Sequence, residues 1–198
     1  MRHLNLLYCI LEMPWAKAVF LDRDGVLIEE VNYLRHVDQL RLLPGAARAV
    51  ARLRAAGWKA VVITNQSGVA RGYVSRTGLT RIHRELRRRL KAAGARLDGL
   101  YFCPHHPEYG KIRKCRCRKP GTLLLEAAKK RFKLDLKASV FVGDTTTDMR
   151  TALNAGCRAV LVRTGKGGKD GAYKAAPHKV CADLAGAADW ILRAGAAA

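Results

Sequence analysis

Apolar residues in this chain follow two kinds of pattern, and the two alternate. Val19-Phe20-Leu21, Lys59 to Thr64, Gly99 to Phe102, Ala138 to Val142 and Ala159 to Val162 are short apolar runs, which predict buried strands. Between them apolar positions recur at three- and four-residue steps. Ala46 to Ala56, Thr80 to Ala93, Thr122 to Phe132, Asp148 to Ala155 and Leu184 to Arg193 are therefore predicted helices. In the second of these Leu79, Ile82, Leu86, Leu90 and Ala93 form one apolar face, and Arg81, Arg84, Arg87, Arg88 and Lys91 occupy the rest. Pro44-Gly45 opens the first helix, while Gly57 and Gly156 stop the first and the fourth. Ile28 to Leu42 and Thr164 to Gly171 carry no period and are expected to be loops. No internal repeat is visible. Strands alternating with helices at this spacing predict an α/β fold, a mainly parallel sheet with helices on both faces.

In such a sheet ligands bind beyond the carboxyl ends of the strands. Three of the predicted ends are polar. The first strand runs into Asp22-Arg23-Asp24-Gly25, the second into Thr64-Asn65-Gln66-Ser67-Gly68, and the fourth into Gly143-Asp144 with Asp148 following. Carboxylates at the end of a buried strand are costly unless a cation neutralises them. Magnesium suits the task, because it prefers oxygen ligands and keeps some of its waters. Taken alone, Asp22-x-Asp24-Gly25 reads equally well as a turn. Carboxylates and a hydroxyl repeated along one edge of the sheet argue for a site.

Composition changes the picture in two ways. With 37 Lys and Arg against 16 Asp and Glu the formal charge is +21, which favours anionic partners. Phosphorylated metabolites, nucleic acid and acidic membrane surfaces all qualify. No apolar run approaches the length of a membrane span, so no membrane is expected. The arginines of the second helix could face nucleic acid, but a solvated helix face accounts for them more simply. The other change comes from the six cysteines, of which Cys103, Cys115 and Cys117 lie close to His105 and His106. Three thiols and an imidazole suit tetrahedral zinc better than a disulfide framework. Such cysteine usage fits a reducing, cytoplasmic compartment. Residues 1–15 are expected to be an N-terminal extension, with Met13 a candidate start, and 16–198 a single domain with a zinc loop at 103–117.

Together these motifs resemble the haloacid dehalogenase (HAD) phosphohydrolases. The pattern matches in order: Asp22-x-Asp24-Gly25, Thr64, Lys119 and Gly143-Asp144-x-x-x-Asp148, over about Ala16 to Gly165. The resemblance implies a Rossmann-like three-layer sandwich and catalysis through an aspartyl-phosphate. Asp22 would be the nucleophile. Asp24 would protonate the leaving alkoxide and then deprotonate the hydrolytic water, a task that needs it protonated at the start. Mg²⁺ would be held by Asp22, Asp144 and the backbone carbonyl of Asp24. Thr64 would hold a phosphoryl oxygen, and Lys119 would offset the repulsion between phosphate and nucleophile. Asp148 is expected to orient Lys119 or a metal-bound water, and it also reads as the N-cap of its helix.

The Cys-x-His and Cys-x-Cys pairs are similar to those of a narrow HAD group without a large cap domain. Its members dephosphorylate a heptose 1,7-bisphosphate at the 7-position, or histidinol phosphate. By that resemblance Cys103, His105, Cys115 and Cys117 bind a structural Zn²⁺ and fix Arg118 and Lys119, which follow the last ligand directly. Thr64 to Gly72, Arg118-Lys119-Pro120 and Val162 to Gly165 point to the sugar bisphosphate, on the way to nucleotide-activated heptose for lipopolysaccharide core. Glu30, Val31, Asn32, Tyr33, Asn65, Gln66, Ser67 and Arg118 would contact the sugar and its second phosphate, to which a guanidinium is well matched. Histidinol phosphate is the near alternative, less welcome at a positive rim because it carries an amine. A nucleic-acid-binding zinc protein or a DNA 3′-phosphatase is the alternative from another class. Binding alone leaves the four aspartates unexplained. A monomer is expected.

Overall fold

A computed structural model describes residues 15–196, so the expected N-terminal extension lies outside the described residues except for Trp15. The strands are β1 (Ala18–Leu21), β2 (Lys59–Asn65), β3 (Gly99–Cys103), β4 (Val140–Gly143), β5 (Arg158–Val162) and β6 (Lys179–Cys181). They form one parallel sheet in the order β3-β2-β1-β4-β5-β6. The helices are α1 (Ala46–Ala55), α2 (Arg76–Ala92), α3 (Leu123–Phe132), α4 (Thr146–Asn154) and α5 (Leu184–Ala196).

Each central strand is buried on both faces, which is why it reads as an unbroken apolar run. Val19, Leu21, Ala60, Val62, Val140, Val142, Val160 and Val162 pack into one core with α1, α2 and α5. The alternate residues, Ala18, Phe20, Val61, Ile63, Phe141 and Ala159, join a second core with α3 and α4. The three layers expected from the sequence are therefore present. Among the described residues no helix is long and apolar enough to cross a membrane.

Three departures have local causes. Strand β6 was not expected, because Lys179-Val180-Cys181 is short and largely exposed; only pairing with β5 makes it a strand. Helix α2 starts at Arg76 rather than Thr80, since Ser75 caps it by accepting the Gly78 N–H at 2.9 Å. Its polar first turn is invisible to an apolar period, and at its other end Ala93 is exposed while Ala95 takes the inward place. Helix α4 starts at Thr146 with Thr145 as N-cap. Asp148 is thus the third helical residue, closing a capping box with Thr145, not the N-cap itself. The arginines of α2 expected on a solvated face, Arg81, Arg84, Arg87 and Arg88, are exposed.

Candidate active site

Strand β1 lies between β2 and β4, so the chain reverses its direction of travel across the sheet there. Such a switch point opens a crevice at the carboxyl ends. The Asp22 N–H donates to Val142 O at 3.0 Å, which seats Asp22 beside the end of β4. A cleft of about 470 Å³ opens above, and Asp22, Asp24, Thr64, Lys119 and Asp144 all line it. The three polar strand ends converge.

Asp22, Asp144 and Asp148 are buried, and each has an oxygen within 4.8 Å of the others. Lys119 Nζ answers two of the three charges, at 2.7 Å from Asp22 Oδ2 and 2.6 Å from Asp148 Oδ1. Burial works against the Lys119 charge, but Asp148 and Asp22 more than offset it and push its pKa up. Burial pushes Asp22 up to about 6, Lys119 opposing the shift and Asp148 and Asp24 adding to it. Asp144, buried and facing Asp22, is pushed up to about 8. It has no ion pair among the described residues, only the Lys166 N–H at 2.7 Å. Two buried carboxyls held in this state are what an oxygen-preferring divalent cation would relieve, so the donor set fits magnesium. Gly25 and Gly165, at φ of 71° and 61°, close over Asp144 where neither has room for a Cβ.

Asp24 is held by donors alone. Nε and Nη2 of Arg23 reach its two oxygens at 2.8–3.2 Å, and Gln66 Nε2 donates to Oδ2 at 2.9 Å. Gln66 Nε2 also donates to Thr64 Oγ1 at 2.9 Å, tying two strand ends together. Nothing in the sequence pattern assigned Arg23 a part. An arginine inside a buried strand end was the available signal.

Glu30, Asn32, Tyr33, Asn65, Gln66, Ser67 and Arg118 also line the cleft, whereas Val31 packs against the core. Asn65 spends its amide on the chain: Oδ1 accepts the Lys119 N–H at 3.0 Å and Nδ2 donates to Lys119 O at 3.3 Å. Asn32 and Tyr33 sit at φ of 46° and 77°, a strained turn for non-glycine residues at the cleft rim. A further part of the lining was not foreseen. Lys166 and Asp170 come from the glycine-rich loop after β5, and Tyr173 from just beyond it, where the sequence carries no period.

Beside the cleft, the register that pairs Asn65 with Cys103 brings the cysteine loop against the end of β2. Cys103 Sγ lies 3.6 Å from Cys115 Sγ and 3.3 Å from Cys117 Sγ, too far for a disulfide. His105 Nδ1 stands 3.8 Å from Cys103 Sγ and 3.4 Å from Cys117 Sγ. Ligands about 2.3 Å from a tetrahedral zinc are spaced at about 3.7 Å, so these donors fit one. His106 turns away to the cleft wall, where Arg71 Nη2 meets its Nε2 at 2.9 Å.

Residues 116–187 match a family model described as HAD-hydrolase-like. A D-glycero-D-manno-heptose-1,7-bisphosphate 7-phosphatase from Thermosynechococcus vestitus is 46% identical over 185 residues, 88% of this chain and 94% of that protein. The D-glycero-beta-D-manno-heptose-1,7-bisphosphate 7-phosphatase of Bordetella bronchiseptica is 38% identical over 180 residues, 89% and 98% of the two chains. The crystal structure of D,D-heptose 1,7-bisphosphate phosphatase from B. bronchiseptica, complexed with magnesium and phosphate, superposes with a TM-score of 0.79 at 36% identity. It covers 90% of this chain and 99% of that one.

Proposed function

The chain belongs to the HAD-like hydrolases, in the family of heptose-1,7-bisphosphate 7-phosphatases, and we propose that it removes the 7-phosphate of D-glycero-D-manno-heptose 1,7-bisphosphate. The observation that carries this reading is the 46% identity with a phosphatase of that name along nearly the whole of both chains. The cleft agrees with it. Lys119 and Arg118 are neighbours in sequence and both line the cleft, so a small sugar with an anion at each end meets two cations.

Asp22 attacks phosphorus through a carboxylate oxygen, the bond from phosphorus to the sugar oxygen breaks, and that oxygen takes a proton from Asp24. Water then attacks the aspartyl-phosphate and gives a proton to Asp24. Asp22 departs as carboxylate, and inorganic phosphate leaves. Thr64 and Lys119 hold phosphoryl oxygens as charge builds on them. Asp22, Asp144 and the Asp24 backbone carbonyl would hold magnesium, which would supply the positive charge that lets a phosphate dianion meet an anionic nucleophile. Cys103, His105, Cys115 and Cys117 would hold zinc in a closed, structural site.

Phosphate release from both heptose bisphosphate anomers, histidinol phosphate and a 3′-phosphorylated oligonucleotide, with Mg²⁺ and with chelator, tests the reading. One heptose bisphosphate anomer is expected to lead, and chelator to abolish the activity. A preference for histidinol phosphate or the oligonucleotide would replace the substrate.

The raised carboxyls add a pH dependence. Asp22 at about 6 and Asp144 at about 8 hold protons more tightly in the fold than in the unfolded chain. Their contribution to stability is therefore full below about pH 4 and lost as pH rises through about 6 and 8. Bound Mg²⁺ relieves that loss but competes with protons at lower pH. The rise in Tm on adding Mg²⁺ is expected to be larger at about pH 8 than at about pH 5, and equal rises would remove these carboxyls as its ligands.

A further inference from the structure

Arg23 heads the largest fully buried side chains among the described residues, and it is a cation. A buried guanidinium is costly unless its donors are taken up. Nε and Nη2 each reach both oxygens of Asp24, at 2.8–3.2 Å, so the carboxyl straddles the edge of the guanidinium and four contacts fix its plane as well as its place. The remaining nitrogen, Nη1, lies 3.3 Å from Nε2 of His83, far along the chain on α2. A guanidinium only donates, so Nε2 accepts and the ring carries its proton on Nδ1. His83 is buried, and burial with Arg23 beside it pushes the imidazole down to about 3, which keeps it neutral. Its charged neighbours are Arg23, Asp24 and Arg87. The ring is held edge-on by Phe102 of β3, with centroids 5.2 Å apart.

Gln66 by itself gives Asp24 a single donor, about which a carboxyl can swing. The fork of Arg23 removes that freedom, and His83 stops the fork from turning. We propose that Arg23, braced from behind by His83, is a positioning residue that sets the plane of the Asp24 carboxyl for proton transfer. This rests on the reading of Asp24 as the proton donor. His83 touches no cleft-lining oxygen and acts only through Arg23. Loosening the brace burdens the step in which a proton moves to the leaving oxygen. A leaving group stable as an anion departs with little help and is spared.

The test compares kcat/KM for phenyl phosphate, a poor leaving group, with p-nitrophenyl phosphate, a good one, in magnesium-loaded enzyme. Neither is the proposed natural substrate, so a wrong substrate assignment leaves the test intact. His83→Phe keeps the ring on Phe102 but removes the acceptor. It is expected to lower phenyl phosphate turnover about tenfold and p-nitrophenyl phosphate turnover less than about threefold. His83→Gln returns an acceptor near Nε2 and is expected to restore most of the first loss. Equal losses on both substrates, or no loss on phenyl phosphate, overturn the proposal. If melting shows His83→Phe unfolded, Arg23→Lys decides by the same ratio, because an ammonium keeps the charge but not the fork. Asp24→Asn separates the two layers. Absence of leaving-group selectivity there sinks the proton-donor reading and the inference with it. Selectivity in Asp24→Asn but not in the Arg23 or His83 variants sinks the inference alone.

Discussion

Asp22→Asn is expected to lower kcat/KM by about 10⁴-fold or more, on every phosphate ester, while the protein stays folded. The amide oxygen of Asn is a poor nucleophile, and nothing else at the ends of β1, β2 and β4 is placed to attack phosphorus. Of the remaining carboxyls, Asp148 is committed to Lys119 at 2.6 Å and Asp24 to Arg23 and Gln66, while Asp144 accepts the Lys166 N–H and is the other proposed magnesium ligand. Lys119 keeps Asp148 as partner in the variant, so its buried ammonium is not orphaned, and Tm is expected to move by only a few degrees. Rapid quench with labelled substrate should trap phosphoenzyme in the parent and none in the variant. Residual turnover above about a thousandth of the parent would remove Asp22 from its role.

Loss of the cysteine-bound metal is the second large effect. Purified protein is expected to hold about one zinc per chain, and Cys117→Ser to lower kcat/KM by about 10²–10³-fold, the cost of losing one well-placed charge-stabilising group. Cys117 is two residues from Lys119, and the stretch from Tyr109 to Lys114 is exposed chain with no regular structure. Such a segment cannot by itself hold an ammonium within hydrogen-bond reach of Asp22. The two bonds from Asn65 to the Lys119 backbone share the task, so Asn65→Ala should cost less than Cys117→Ser. Active enzyme with no zinc by elemental analysis would end this account.

The three-layer α/β fold was legible because β1, β2, β4 and β5 are buried on both faces and carry an unbroken apolar signal. Helix starts were less so. The first turns of α2 and α4 are polar, and their beginnings are set by the caps Ser75 and Thr145. Strand β6 was missed for a different reason, since an exposed edge strand depends on its neighbour for definition. At the cleft, the metal-ligand candidates stood out because acidic and thiol groups at strand ends have few structural uses. The partners that orient them did not, because a brace such as His83 is an ordinary helix residue until its neighbour across the fold is known.

The chain's own order of residues determined the chemistry on offer: two aspartates after one strand, a third after another, a lysine behind a thiol cluster. Local spacing suffices for that, since each motif is read within a few residues. Only the tertiary structure decided what each group is bonded to. It paired Lys119 with Asp148 as well as Asp22, Asp24 with Arg23, Arg23 with His83, and gave Asn65 to the Lys119 backbone. Most of these contacts join residues tens of positions apart, and short-range periodicity carries no record of them. Burial then makes each bond obligatory, because a charge withdrawn from water must find its partner inside the fold.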